Sequence, residues 1–208
     1  MKRKTSTPPL EGAHDSWSDY GNLTSDVPRV WWQVPILHQD EEQAIINGIR
    51  DETEILEVGA HDTTFANRLH EKGKKTHTFD IDPRAAFDFH EWKLTPKKVG
   101  AVIAKQVLEH IPQKEIEEWL HRFAAKADKL VFTIPNFWAP AWVFTNDVTH
   151  VNNASLRTWT YWLRRAGYTR ITCHRLGRGI KIDAVSWLNA LLGQSDPCHS
   201  ILICATKE

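Results

Sequence analysis

Short apolar runs alternate with segments whose apolar residues recur at helical spacing along most of the sequence. Apolar runs of about four to eight residues are typical of strands, and apolar positions three or four residues apart indicate helices. The strands predicted are Glu54–Gly59, Lys75–Asp80, Phe87–Glu91, Gly100–Ala104, Lys129–Ile134, Tyr168–Arg175 and Ser200–Thr206. The helices predicted are Glu41–Arg50, Thr63–Lys72, Pro112–Ala127, Ser155–Arg165 and Asp183–Leu192. This alternation predicts an α/β fold with a three-layer, doubly wound, mostly parallel sheet.

The beginning of the chain does not follow this pattern. A polar stretch without periodicity is followed by the apolar cluster Trp31–Leu37, and the first helical segment begins at Glu41. We therefore predict an N-terminal tail or lid, residues 1–38, that can fold over a site, followed by one domain, residues 39–208. A chain of 208 residues is long enough to bury a substantial core.

The composition narrows the classes of function. The 26 Lys and Arg residues balance the 26 Asp and Glu residues, so no overall field attracts DNA or an anionic membrane surface. Three cysteines are too few for a secreted disulfide framework, and no signal peptide or long apolar window is visible. We expect a cytoplasmic protein that binds neither DNA nor membranes.

The first predicted strand ends in Glu57-Val58-Gly59, and Asp80 ends the second strand, 21 residues after the glycine. A carboxylate at that position can accept hydrogen bonds from both hydroxyls of a nucleotide ribose. A glycine-rich phosphate turn is missing, because His61 and Asp62 follow instead, so NAD and ATP are not expected. The alternative explanation is a turn glycine and a helix-capping aspartate.

Several further segments follow the two that contain Gly59 and Asp80, in a characteristic order. They are Val107–Pro112, Leu130–Asn136, Thr149–Val151, Arg165–Tyr168 and Ile201–Lys207. Together, from about residue 40 to residue 207, the segments resemble the class I S-adenosylmethionine-dependent methyltransferases. The resemblance implies a Rossmann-like sheet of seven strands with an antiparallel last strand. It also implies an enzyme that uses S-adenosylmethionine to methylate a small molecule, at oxygen or nitrogen.

The resemblance assigns cofactor-binding positions one by one. They are Glu57, Gly59, Ala60, His61, Asp80, Ile81, Glu91, Trp92 and Gln106. Asp80 corresponds to the ribose-binding acid, and Trp92 lies near the adenine position, with a core tryptophan as the alternative. His61 and Thr63 stand where the family usually has glycines. This departure leaves open a non-methylating reaction of the same cofactor, such as cyclisation or hydrolysis, and a non-catalytic binding or scaffold protein.

Methyl transfer requires that the acceptor lose a proton, and histidine accepts protons near neutral pH. His150 is the first candidate, with Asp147 to orient its ring, and His110 is the second. The alternatives are that His150 holds its own loop together by local contacts and that His110 packs on the helix beginning near Pro112.

No metal site is predicted. Glu109, His110 and His150 resemble part of the metal site of small-RNA 2′-O-methyltransferases, but Gln106 replaces a further glutamate ligand and is a poor ligand for a divalent cation. The sequence also has two Cys-His pairs whose spacing matches no standard zinc motif: Cys173-His174 and Cys198-His199.

Six of the ten tryptophans fall outside the predicted sheet core: Trp17, Trp31, Trp32, Trp138, Trp142 and Trp187. They lie in the tail, the long loop and the late insertion, which in this fold cover the cofactor. This placement predicts an apolar pocket for an aromatic or hydrophobic acceptor. The alternative is that these residues seal loops or form a homodimer contact.

Overall fold

A computed structural model describes residues 36–37, 41–81, 84–88, 91–135, 149–176 and 200–207. Its helices are α1 (Glu41–Gly48), α2 (Thr64–Glu71), α3 (Gln113–Lys126) and α4 (Leu156–Arg165). Its strands are β1 (Ile36–Leu37), β2 (Glu54–Val58), β3 (Lys75–Asp80), β4 (Phe87–Asp88), β5 (Ala101–Lys105), β6 (Lys129–Pro135), β7 (Arg170–Leu176) and β8 (Ser200–Thr206). A short 3-10 helix, Leu108–His110, follows β5.

The strands of the described residues form one sheet in the order β1-β7-β8-β6-β5-β2-β3-β4. Strand β8 runs antiparallel to both of its neighbours, and the other pairs are parallel. All seven predicted strands are present, so the predicted sheet with its antiparallel last strand is confirmed. The described part of the third strand is Phe87–Asp88, and Glu91, its predicted end, does not lie in a strand.

An eighth strand joins the edge of the sheet from within the predicted tail. Ile36 pairs with Arg175 and Leu37 with Leu176, parallel to β7. The rest of the tail lies outside the described residues, so the boundary at residue 38 stays a prediction. The long loop from Asn136, the helix predicted at Asp183–Leu192 and the six tryptophans singled out above also lie outside them.

Helices cover both faces of the sheet, as a doubly wound fold requires. Because side chains alternate along a strand, Ile103 and Val131 face α1 and α2, while Val102 and Leu130 face α3 and α4. Each of these four strand residues is completely buried. The core is therefore divided by the sheet into two apolar layers, and the site must lie at an edge.

No helix of the described segments is long and apolar enough to span a membrane.

The strand order reverses beside β2. From β2 the chain passes to β3 and β4 on one side, and then returns to β5 on the other side. The connections leaving the ends of β2 and β5 therefore diverge, which opens a crevice at the carboxyl edge, the edge where the parallel strands end. Ligands of doubly wound sheets bind in such a crevice.

Candidate active site

Gly59, directly after β2, brings the loop that follows it against the segment after β5. Its φ is +73°, a left-handed conformation that favours glycine. A Cβ at this position would overlap the Cγ2 methyl of Val107 and lie 2.9 Å from its Cγ1. No other residue type fits here without displacement, so the glycine predicted to be part of the cofactor loop is required by the structure.

The two residues that replace family glycines keep a backbone that glycine favours. His61 has φ 45° and Thr63 has φ 62°, both in the left-handed region. Such conformations cost on the order of 1–3 kcal/mol for residues other than glycine. The sequence therefore departs from the family pattern in its side chains, while the loop between Gly59 and α2 retains glycine-like turns. Ala60, between Gly59 and His61, is buried.

Asp80, at the end of β3, binds this loop. Its Oδ2 accepts a hydrogen bond from the backbone N–H of His61 at 2.6 Å. Asp62 makes a related local contact, because its Oδ1 accepts from the N–H of Thr64 at 3.0 Å at the start of α2. A carboxylate offers about four lone-pair positions, so Asp80 can hold the loop and also accept from a hydroxyl of a ligand. The adjacent Ile81 is 76% exposed, which makes it an apolar surface at the crevice.

Glu57 is a carboxyl group buried inside the sheet next to the crevice. Its side chain is 2% exposed, and its Oε2 has no hydrogen-bond partner among the described residues. Burial raises the pKa of Glu57 to about 8, against the opposing effect of Lys105, while Glu42, Asp62 and Asp80 raise it further. Because burying an unpaired carboxylate is unfavourable, a cation bound at this edge would stabilise the ionised form.

Acidic residues in the first turn of α1 reach the end of β5. Glu42 forms ion pairs with Lys105, at 2.7 Å, and with Arg68 of α2. Gln106, in a left-handed conformation with φ 54°, donates from its amide to Glu41 at 2.7 Å and to Ser200 at 3.3 Å. The sequence pattern did not indicate Glu41, Glu42 or Ser200 as site residues. The available signal was that two acidic residues, Glu41 and Glu42, begin a predicted helix.

Trp92 and Glu91 make contacts within the protein. The Trp92 ring packs against Phe79 at 5.2 Å, against Trp119 at 5.5 Å and under the ammonium group of Lys126 at 4.7 Å. Glu91 accepts from the N–H of Asp88 at 2.9 Å. These contacts agree with the alternative of a core tryptophan that the sequence left open, and a role of either residue in adenine binding stays a prediction.

The two predicted histidines lie side by side at the carboxyl edge. The rings of His110 and His150 are 4.7 Å apart between centroids and inclined by 74°. His110 is exposed and His150 is half-buried. Nδ1 of His110 lies 3.1 Å from the backbone oxygen of Thr149, and since a carbonyl can only accept, Nδ1 carries the hydrogen. Asp147, predicted to orient His150, lies outside the described residues.

Glu109 adds a carboxyl group to this pair. One side-chain oxygen or nitrogen from each of Glu109, His110 and His150 lies within 4.8 Å of the others, an arrangement that could hold a metal ion. Glu109 is completely buried. Gln106, which occupies the position of the further ligand, instead donates to Glu41 and Ser200. The expectation that no metal is bound stays a prediction, because the geometry of the three groups does not decide it.

This chain is similar to a known family of domains. A sequence profile described as "Methyltransferase domain" matches residues 38–173, which is more than half of the 208-residue chain. The chain belongs to the methyltransferase domain family. The resemblance drawn from the sequence, and with it the identification of a methyltransferase enzyme, is confirmed. A search of curated proteins finds no match for this methyltransferase domain.

Solved structures share the fold of this methyltransferase domain. An S-adenosylmethionine-dependent methyltransferase from Archaeoglobus fulgidus has a TM-score of 0.59 and 17% identity, over 82% of this chain and 96% of that one. Phosphoethanolamine N-methyltransferase 2 from Haemonchus contortus has a TM-score of 0.59 and 12% identity, over 80% of this chain and 52% of that one. Magnesium protoporphyrin IX methyltransferase from Synechocystis has a TM-score of 0.54 and 12% identity, over 80% and 82%. At these identities the likeness shows the fold.

Proposed function

We propose that this methyltransferase domain uses S-adenosylmethionine to methylate a small-molecule acceptor at an oxygen or nitrogen atom. The observation that carries the proposal is the crevice where the strand order reverses, with the buried Glu57 on β2 and with Asp80, at the end of β3, bound to the loop after Gly59. Two proteins with the same fold support it, since the Haemonchus enzyme was solved with S-adenosylmethionine and the Synechocystis enzyme with S-adenosylhomocysteine (SAH).

The residues at the carboxyl edge fit this cofactor by charge and shape. The cofactor carries cationic groups, and the buried carboxyl of Glu57 lies two residues before the left-handed turn at Gly59. Asp80 would accept hydrogen bonds from the ribose, and Ile81 offers an exposed apolar surface beside it. When bound, S-adenosylmethionine supplies an electrophilic methyl group, so the protein has mainly to position the two reactants and exclude water.

The acceptor must also lose its proton, and the histidine pair offers the groups for that step. From the sequence, His150 was the first candidate for the histidine that accepts this proton. The structure supplies a reason to rank His110 first, because its Nδ1 donates to the Thr149 carbonyl and its Nε2 is therefore the proton-accepting nitrogen of a neutral ring. We assign the acceptor proton to Nε2 of His110, with His150 packed against its ring.

A screen of acceptors tests the proposed function. The full chain is incubated with S-adenosylmethionine and a panel of phenols, carboxylic acids and amines, and release of SAH is measured with and without acceptor. We expect acceptor-dependent release and a methylated product of matching mass. Release without acceptor would instead show hydrolysis or cyclisation, and binding without any turnover would show a non-catalytic protein.

Single histidine variants then test the proton transfer. We expect His110→Ala to lower kcat by about 10²-fold with unchanged SAH affinity. His121→Ala, which alters a half-exposed histidine on α3, is the matched control and should leave kcat unchanged. Protein treated with a chelator should keep its activity. A large loss in His150→Ala with none in His110→Ala would reverse the assignment, and loss on chelation would indicate a metal.

A further inference from the structure

The loop 149–152 and the short helix 108–110 are held together by a series of hydrogen bonds. The N–H of Asn152 donates to the backbone oxygen of Glu109 at 2.9 Å, and Nδ1 of His110 donates to that of Thr149 at 3.1 Å. These two bonds run in opposite directions between the same two segments. The position of the Thr149 carbonyl relative to the His110 ring therefore depends on how the loop is anchored.

The side chain of Asn152 is the anchor at the buried end of this loop. It is completely buried, its Nδ2 donates to the backbone oxygen of Leu108, and its Oδ1 accepts from the N–H of Ala154, both at 3.4 Å. The asparagine thus connects the helix 108–110 with the residues that lead into α4. An alanine here would leave the buried Leu108 oxygen and the half-buried Ala154 N–H without these partners.

We propose that Asn152 is a positioning residue that sets the tautomer of His110. By holding the loop against the helix 108–110, it keeps the Thr149 carbonyl in line with Nδ1 of His110. The hydrogen of the neutral ring is then retained on Nδ1, and Nε2 keeps its lone pair. This is the arrangement by which a fixed acceptor orients a histidine in proton transfer, with a backbone carbonyl as the acceptor.

The effect of Asn152 on the reaction rests on the proposed function, because it requires that Nε2 of His110 accept the acceptor's proton. A ring that loses its Thr149 partner carries the hydrogen on either nitrogen, and only one of the two forms can act. The proposal therefore concerns a side chain that does not touch the reactants and acts through His110.

The tautomer can be measured directly by NMR on the full chain labelled with ¹⁵N. Long-range ¹H–¹⁵N correlation spectra are recorded above the ordinary histidine pKa of about 6.5, and the signals of His110 are assigned with a His110→Gln variant. We expect wild-type His110 to show the Nδ1–H form. In Asn152→Ala and Asn152→Ser we expect a mixture of the two tautomers, since serine can still bond to Ala154 but is too short to reach Leu108.

A control separates positioning from loss of stability. Thr160→Val removes another buried hydrogen bond, from Oγ1 of Thr160 to the Leu156 oxygen inside α4, and should leave the His110 tautomer unchanged. The proposal is overturned if wild-type His110 carries its hydrogen on Nε2, or if the folded Asn152→Ser variant keeps the wild-type tautomer.

Kinetic measurements distinguish this proposal from the proposed function. With an acceptor found in the screen, we expect Asn152→Ser to lower kcat on the order of tenfold, with unchanged KM for S-adenosylmethionine. If the tautomer shifts while kcat stays the same, Asn152 positions His110 but the proton transfer assigned to His110 is wrong. If SAH does not bind to the wild type, the proposed function is wrong. The NMR measurement then still tests whether Asn152 sets the tautomer of His110, because it requires neither cofactor nor acceptor.

Discussion

The carboxylate of Asp80 accepts a hydrogen bond of 2.6 Å from the backbone N–H of His61. This bond joins the end of β3 to the loop that leaves β2, so two segments that are predicted to bind the cofactor are connected to each other. Its charge makes it one of the stronger hydrogen bonds of the site. Asp80 therefore shapes the loop and offers further acceptor positions to a ribose.

Replacing Asp80 by alanine should weaken SAH binding at least about tenfold, because each charge-assisted hydrogen bond is worth about 1.5–3 kcal/mol. Isothermal titration calorimetry measures the change. Asp128→Ala is the matched control, since Asp128 lies at the opposite edge of the sheet and pairs with Lys207 at 3.3 Å. Equal affinities of wild type and Asp80→Ala would remove Asp80 from the ribose site.

Alanine variants of two glycines with similar φ can distinguish the cost of steric overlap from the cost of backbone strain. Gly59 and Gly73 have φ of +73° and +78°, but a Cβ at Gly73 would meet nothing within 4 Å. We expect Gly73→Ala to cost about 1 kcal/mol of unfolding free energy, and Gly59→Ala about 1–3 kcal/mol more, with loss of SAH binding. Chemical denaturation and calorimetry provide the values. Similar costs for the two variants would show that the overlap with Val107 is not important.

Restoring glycine at positions 61 and 63 should relieve the left-handed strain there. We expect the double variant His61→Gly/Thr63→Gly to fold with the same or greater thermal stability, and to bind SAH as tightly as wild type or more tightly. Thermal unfolding with and without SAH measures both effects. A clear loss of SAH affinity would mean that one of the two side chains contributes to the ligand site.

The buried Glu57 should make stability depend on pH. Burial raises its pKa from 4.5 to about 8, so between these values the folded protein binds a proton that the unfolded chain has lost. The contribution of the Glu57 carboxyl to the free energy of unfolding is fully present below the pKa of the unfolded chain. It is lost as the pH rises through about 8. Compared with Glu57→Gln, the unfolding free energy of wild type should therefore fall between about pH 5 and pH 9. Parallel curves for the two proteins would contradict the raised pKa.

Much of the fold could be predicted from the sequence because its signals are local. A run such as Gly100–Ala104 is apolar throughout, and a strand buried on both faces requires nothing more. The acid at the end of β3 and the glycine at the end of β2 could also be predicted, because the strand order brings the ends of neighbouring strands together. By contrast, β1 has only two residues, too few for any periodic pattern.

The details of the site could not be predicted because they depend on contacts between distant segments. Glu42 and Lys105 are 63 positions apart, and nothing near either residue indicates their ion pair. Likewise, the contact between the rings of His110 and His150 follows from the way that the loop 149–152 folds against the helix 108–110. The positive φ of His61 and Thr63 was also not predicted, because this conformation is uncommon for residues other than glycine.

Binding of S-adenosylmethionine and SAH to the wild-type full chain decides whether the carboxyl edge is a cofactor site. Isothermal titration calorimetry, together with mass spectrometry of any cofactor that copurifies with the protein, measures it without knowledge of the acceptor. We expect one molecule of each to bind per chain with a Kd in the micromolar range, and NAD and ATP not to bind. Wild-type protein that is folded but binds neither S-adenosylmethionine nor SAH would contradict the assignment of this site and of the reaction.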